Sequence, residues 1–311
     1  MAEPYNVIAV PGSTSNLGPA FDALSVALDL HLRIAVLDVR ADLAGAVEYE
    51  FEGAGPAGEN RIDSAFQLAC RRYGRPVMGL KVRVSSDIPM AAGLGSSAAA
   101  AVAGFRLYEA ARAIPLDLAG MLNLATDLEG HPDNAAAALY GGITLSCQTD
   151  AGVLARAWRW PDEIRFVIAT PGSGLETSHA RAVLSDSVPL PDAVANLQRA
   201  VLFVRALETR EYGDIREALK DRWHQPARGA MVPALAECLA IDHPSVLGVC
   251  LSGAGPSVLA LAAPGRSEEA AAVLGDVYRR LGVPHTIRNL AAVQPATINP
   301  ARSSAERERT A

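Results

Sequence analysis

The chain has no excess of positive charge: 28 lysines and arginines stand against 34 aspartates and glutamates, a formal net charge of −6. That balance excludes the broad basic face needed for nucleic-acid binding, but it leaves room for a local positive cleft for phosphates. Cysteine is scarce. Cys70, Cys147, Cys238 and Cys250 are far apart and form no Cys-x-x-Cys pair, which argues against structural zinc or a disulfide framework and for reduced thiols buried in a core. Long apolar runs are missing, with no segment approaching the roughly 18 unbroken apolar residues of a membrane span. The start, Met1-Ala2-Glu3-Pro4, lacks a basic stretch followed by an apolar one. No internal repeat or low-complexity domain is visible. These absences point to a cytoplasmic globular protein that handles a small molecule, with no nucleic acid and no membrane as partner.

Half of the residues are apolar, and 311 residues allow two domains with a sizeable core. Alternation predicts strands over 5–10, 26–39, 47–51 and 80–86, and helices over 60–73 and 97–113, the latter ended by Pro115. A further helix over 116–129 leads to the loop Gly130-His131-Pro132-Asp133-Asn134, an alanine-rich helical turn, Gly141-Gly142 and a strand over 143–147. Turn signals between 149 and 161 surround a Trp158-Arg159-Trp160 strand and place a boundary near residue 160. Beyond it a second α+β pattern is expected: strands over 164–170, 246–251, 257–261 and 285–288, and helices over 192–209, 212–222, 233–241 and 267–281. The tail after Pro300 is charged and rich in small residues, the composition of a disordered end.

The run Ile88-Pro89-Met90-Ala91-Ala92-Gly93-Leu94-Gly95-Ser96-Ser97-Ala98-Ala99 is a glycine-serine turn feeding an alanine-rich helix. Two glycines let the backbone curl so that N–H groups point inward, the serines add hydroxyls, and the helix N-terminus directs its partial positive charge at the same point. An anion belongs there. No Lys-Ser/Thr follows the last glycine, so this is not a Walker A loop. Gly93, Gly95 and Ala98 also satisfy Gly-x-Gly-x-x-Ala, but Asp87 to Ala92 separate the strand from the first glycine, which makes dinucleotide binding the weaker reading.

Two other blocks flank this loop in order: Pro11-Gly12-Ser13-Thr14-Ser15-Asn16-Leu17-Gly18-Pro19-Ala20-Phe21-Asp22, and Ser252-Gly253-Ala254-Gly255-Pro256-Ser257. Together the three resemble the GHMP small-molecule kinases, whose phosphate loop reads Pro-x-x-x-Gly-Leu-Gly-Ser-Ser-Ala; Pro89 to Ala98 matches it throughout. The resemblance implies an α+β fold of two domains with the phosphate-binding loop between them. With the boundary near residue 160 and the tail read above, it makes residues 1–160 the ATP-binding domain and 161–300 the second α+β domain, followed by the disordered tail over 301–311. It also implies ATP and Mg2+, with Pro89, Gly93, Leu94, Gly95, Ser96, Ser97, Ala98 and Ala99 at the phosphates, Asn60 near the adenine, and Ser97 and Glu129 near the metal. A homodimer is part of the same implication.

Four further stretches resemble the homoserine branch of that family: Glu129 to Asn134, Asn16 to Pro19 with Asp22, Thr177 with Arg181, and His224-Gln225-Pro226-Ala227-Arg228. That implies phosphorylation of the side-chain hydroxyl of L-homoserine, on the way to threonine, in a pocket of Asn16, Asp22, His131, Asn134, Thr177, Arg181 and Arg228. The residue types suit such a substrate on their own chemistry. Two arginines can grip a carboxylate, an aspartate can neutralise an ammonium, and asparagine or histidine can orient a hydroxyl. The same residues have plainer roles open to them: a surface ion pair for either arginine, a loop-fixing hydrogen bond for His131, a helix-ending acid for Glu129.

The proton acceptor is open at this level. Asp133 is the candidate general base, or it caps the turn through its own backbone. In the second case Asn134 orients the hydroxyl, and the proton leaves late to phosphate or water. The first block also departs from the family's usual Pro-Ala-Thr-Ser-Ala-Asn-Leu-Gly-Pro-Gly-Phe-Asp. Gly12-Ser13-Thr14-Ser15 precede Asn16, Ala20 stands for a glycine, and Ser25-Val26 replace Gly-Leu. Ala20 would cost about 1 kcal/mol if that position needs a positive φ. A related kinase acting on another small alcohol, and a nucleotide-binding regulator without activity, are the alternative readings.

Overall fold

The computed structural model describes residues 6–40, 45–53, 55, 56, 58–172, 174, 175 and 177–295. The expected tail over 301–311 lies outside the described residues. The first half contains β1 (Asn6–Ser15), β2 (Leu24–Arg40), β3 (Val47–Phe51), α1 (Arg61–Arg72), β4 (Gly79–Ser86), α2 (Ser96–Arg112), α3 (Leu118–Glu129), α4 (Asp133–Tyr140), β5 (Ile143–Thr149) and β6 (Gly152–Trp158). The second contains β7 (Phe166–Pro171), α5 (Thr177–Ala182), α6 (Leu190–Thr209), α7 (Ile215–Ala218), α8 (His224–Arg228), α9 (Leu235–Leu239), β8 (Val246–Leu251), β9 (Val258–Ala262), α10 (Ser267–Arg280) and β10 (His285–Leu290).

β2 is the spine of the first sheet, ordered β3-β4-β2-β5-β6 with β1 also on β2. Its Val26, Leu28, Leu30, Leu32, Ile34 and Val36 are all buried. A period of two over that length can only be a strand with one face on a core. The covering layer is helical. α1 sends Ile62, Ala65, Phe66, Ala69 and Cys70 inward at three- and four-residue spacing, and α2 lies beside it. Gly104 makes their approach close: a Cβ there would stand 2.3 Å from the Ile62 carbonyl oxygen. The second sheet is antiparallel, ordered β10-β7-β9-β8, and α9 and α10 pack against it around Leu235, Leu274 and Tyr278.

The first block is strand as far as Ser15 and a turn from Asn16 to Asp22. β1 continues past Val10 to Ser15, its pairing with β2 shifting register between Pro11 and Gly12, because proline lacks a ladder N–H and marks a bulge. After β10 the chain turns back to the first sheet: Ala291 accepts from the Asp29 N–H, Val293 donates to Ala27, and Gly142 donates to Val293. The expected helix over 212–222 is broken. The Asp221 carboxylate accepts from the Trp223 and Gln225 N–H groups and opens α8, an Asx-type start that competes with helix continuation. Among the described residues no helix is long and apolar enough to cross a membrane. Cys70, Cys238 and Cys250 are buried as expected, but Cys147 is exposed, on the outward face of β5.

Candidate active site

The three sequence blocks meet at one point. In the loop, Gly93 and Gly95 have φ of 72° and 70°, and a Cβ on either would collide at 2.2 Å, with the Ser252 carbonyl oxygen and with Ser13 Oγ respectively. Only glycine meets both demands. Ser252 Oγ donates to the Gly93 carbonyl at 2.8 Å, Ser13 N–H to Leu94 at 3.0 Å, and Gly253 N–H to Ser15 at 3.1 Å. The loop is thus clamped between β1 and the turn joining β8 to β9, and α2 starts at Ser96 directly after it.

A cleft of about 820 Å³ opens over this junction. It is lined by Gly93, Leu94, Gly95, Ser96, Ser97 and Ala98 of the loop, by Asn60, Glu129 and Asp133, and by Asn16, Asp22, His131, Asn134, Thr177, Arg181 and Arg228. Pro89 and Ala99 are not among its lining residues. Ala99 is fully buried, because it lies on the inner face of α2. Asn60 is the N-cap of α1, its Oδ1 accepting from the Ile62 N–H at 3.1 Å, which explains its position without reference to a ligand. Ala20 does not carry a positive φ, so its replacement of glycine brings no strain.

At the loop end, Ser97 Oγ donates to Glu129 Oε1 at 2.8 Å. Arg61 Nε stands 3.5 Å from that same oxygen. A hydroxyl and a carboxylate at a helix N-terminus are a hard-oxygen donor set that suits Mg2+. Glu129 is the last residue of α3, and the αL cap Gly130 turns the chain there.

At the other end Arg181 and Arg228 both stand over the Phe21 ring, at 5.4 and 5.5 Å from its centroid. Arg228 is 1 % exposed. It donates to the carbonyls of Ala180 and Gly253 and stands 3.1 Å from His224 Nδ1. Burial, then the charge of Arg181, pushes it down to about 10, so it remains a cation near neutrality. Arg181 donates to Asp22 Oδ1 at 2.7 Å, so Asp22 has a protein partner where the sequence suggested a carboxylate free for an ammonium. The amide of Asn16 is also engaged, accepting from Asp22 N–H and donating to the Gly253 carbonyl, both at 2.9 Å.

Between the two ends lies a buried polar knot. Asn134 Oδ1 accepts from Ser13 Oγ at 2.8 Å, and its Nδ2 donates to Ser15 Oγ at 3.1 Å. His131 Nδ1 lies 2.7 Å from Asp133 Oδ1. Burial pushes the His131 imidazolium down, but the hydrogen bond and charge of Asp133 outweigh it and raise the pKa. Burial acts in the opposite sense on Asp133, and His131 together with the Asn134 N–H holds its carboxyl low. A carboxylate stabilised in this way is a poor proton acceptor. Arg61, Phe21 and Ser15 line the cleft but were not among the site residues expected from the sequence. For Arg61 the available signal was its place immediately after the cap Asn60.

An anion loop on a helix N-terminus, at the junction of two α+β units and beside a pocket of paired charges, defines a phosphate-handling protein of the small-molecule type. Comparison with known proteins gives the particular family. Residues 60–142 match the model of the GHMP kinases N terminal domain, and residues 203–280 that of GHMP kinases C terminal. Among similar proteins, the homoserine kinase of Moorella thermoacetica is 36% identical over 287 residues, covering 92% of this chain and 96% of that one. That of Thermus thermophilus is 39% identical over 258 residues, with 82% and 86% covered. The crystal structure of homoserine kinase from Cytophaga hutchinsonii superposes with a TM-score of 0.79 at 23% identity, covering 95% of this chain and 98% of the other, a likeness of fold. The chain belongs to the GHMP kinase family and is a kinase.

Proposed function

We propose that this protein transfers the γ-phosphoryl group of ATP to the side-chain hydroxyl of L-homoserine, giving O-phospho-L-homoserine and ADP, in the cytoplasm. One observation carries the reading: a glycine-serine anion loop shares one cleft with two guanidiniums and a carboxylate gathered around Phe21. The names of relatives that match most of the chain at 36–39% identity agree with it.

In this reading the loop N–H groups and the start of α2 cradle the phosphates. Ser97 and Glu129 would hold Mg2+, which would supply neutralisation of the phosphate charge. Arg228 and Arg181 take the substrate carboxylate, and Asp22 takes its ammonium. His131, Thr177 and Asn16 complete the pocket wall. The Asn134 carboxamide, locked by Ser13 and Ser15, orients the hydroxyl. Its oxygen attacks the γ-phosphorus as the bond to the bridging oxygen of ADP breaks, and its proton leaves to phosphate or water. Asp133 holds His131 rather than accepting that proton.

The test is ADP release from magnesium-ATP with a panel of homoserine, serine, threonine, mevalonate and galactose. Preference for homoserine is expected. Preference for mevalonate or galactose moves the substrate to another alcohol, and no ADP above background with any of them would falsify the assignment.

A second copy of the chain is part of the proposal. α6 exposes Leu190, Leu197 and Val201 at 76%, 66% and 63%, and with Val194 and Val204 they follow the alternating four- and three-residue spacing of a helix-pairing seam. Set antiparallel to its own copy, the helix brings Leu197 against Val201 and Val194 against Val204 in the same register.

A further inference from the structure

The anion loop lacks the lysine that Walker-type loops place on the phosphates, and the chain has only two lysines, Lys81 and Lys220, neither of which lines the cleft. Among the described lining residues the guanidiniums are Arg61, Arg181 and Arg228. Two of these sit over Phe21 at the acceptor end. Arg61 stands alone at the loop end.

Its position is built by the fold. Asn60 caps α1, the Ile62 carbonyl packs on Gly104 of α2, and Arg61 is the residue between them. Its Nε is 3.5 Å from Glu129 Oε1, the oxygen that also accepts from Ser97, and its Nη1 is 3.0 Å from Glu59 Oε2. The side chain is one-third exposed, so the guanidinium is poised over the cleft and not sealed in the core. Backbone N–H groups and a helix N-terminus supply partial charges only, and two carboxylates beside them repel a triphosphate. A guanidinium in this place supplies a whole charge and planar donors matched to phosphate oxygens.

We infer that Arg61 is a nucleotide-binding residue, contacting the phosphate oxygens of ATP in the role the absent lysine would fill. The inference rests on the reading of Ser97 and Glu129 as the triphosphate end of the cleft. The competing role is structural: Arg61 only steadies Glu129 and affects the nucleotide through the metal site.

Equilibrium binding of ATP, ADP and adenosine to the full chain separates the two, measured with Mg2+ and again in EDTA, for the wild type, Arg61→Gln and Arg61→Lys. Loss of one charge-assisted contact should weaken ATP about 10- to 100-fold in Arg61→Gln, in both media, with adenosine unchanged and part of the loss recovered in Arg61→Lys. Weakening confined to the Mg2+ medium, or equal for ATP and adenosine, overturns the inference. So does unchanged ATP affinity in a variant whose thermal unfolding matches the wild type. A wild type that binds ATP no better than adenosine instead removes the underlying reading of the cleft. An Arg61→Gln protein that does not fold is replaced by Arg61→Met, which keeps the stem packing, under the same criteria.

Discussion

Arg181 Nη2 donates to Asp22 Oδ1 at 2.7 Å, across 159 residues of sequence. The pair closes the acceptor end of the cleft, with the Arg181 guanidinium over Phe21 and Arg228 on the same ring. Two residues assigned separate substrate groups by chemistry alone are each other's partner in the folded chain.

Because they act as a unit, their losses should not add. Asp22→Asn and Arg181→Met should each raise KM for homoserine about 10- to 100-fold, the size of one charge-assisted contact. The double variant should fall well short of the product of the two. Strict additivity in steady-state kinetics would show that the pair is not shared by the substrate.

Asp133 is held low by His131 and the Asn134 N–H, so its replacement tests whether any general base operates. Asp133→Asn should keep turnover within about 10³-fold of wild type, since the lost contacts orient His131 and Asn134 but transfer no proton. A larger fall in kcat with homoserine affinity intact would assign the base to Asp133.

His224 provides a pH test of stability. It is buried, with Nε2 2.7 Å from the Gly18 carbonyl oxygen and 3.5 Å from Asp221, and with Arg228 on Nδ1. Burial pushes its pKa below the usual 6.5, and the charges of Asp221 and Asp22 offset this only in part. The folded state therefore binds fewer protons than the unfolded chain below about pH 6.5. Its contribution is fully present above about pH 6.5 and declines as the pH falls below it, by at most about 1.4 kcal/mol per pH unit. Urea unfolding between pH 5 and 8 should show this slope, and His224→Gln should flatten it. An unchanged slope in the variant would assign the acid sensitivity elsewhere.

Gly104→Ala places a Cβ 2.3 Å from the Ile62 carbonyl and 2.8 Å from Ala65 Cβ. Both neighbours are short or backbone atoms, so α1 must move. Overpacking of this kind costs about 1–3 kcal/mol, a drop of several degrees in Tm for a chain of this size. The displacement should also weaken ATP binding, because α1 carries Asn60 and Arg61. A fall in Tm with ATP affinity unchanged would separate helix packing from the site.

The seam on α6 is tested by light scattering after chromatography. The wild type should run as a dimer, and Leu197→Glu with Val201→Glu should run as a folded monomer. A wild-type monomer at micromolar concentration would leave the exposed Leu190, Leu197 and Val201 without the partner proposed for them.

Much was legible in the chain because local physics wrote it there. The alternation from Val26 to Val36 could only be a strand with one buried face, and the helix expected over 60–73 is there as α1. Glycines at 93 and 95 announced a loop that no side chain could enter. The breaks were legible only in part: Pro11 reads as an end, but in the sheet it is a bulge in a strand that continues to Ser15. Cys147 reads as one more core thiol, yet the outward face of β5 leaves it exposed.

The sequence by itself determined a glycine-serine loop without a lysine, opening a helix, because turn geometry and helix termini are local. The family resemblance, and not spacing, was what singled out Ser97 and Glu129 at one end and Asp22, Arg181 and Arg228 at the other. Tertiary structure alone decided who meets whom. It joined Arg181 to Asp22, locked Asn134 between Ser13 and Ser15, turned Ala99 away from the cleft, and brought Arg61 to Glu129. Those contacts join residues far apart in sequence, and they follow from how the helices pack on the two sheets, which no local pattern encodes.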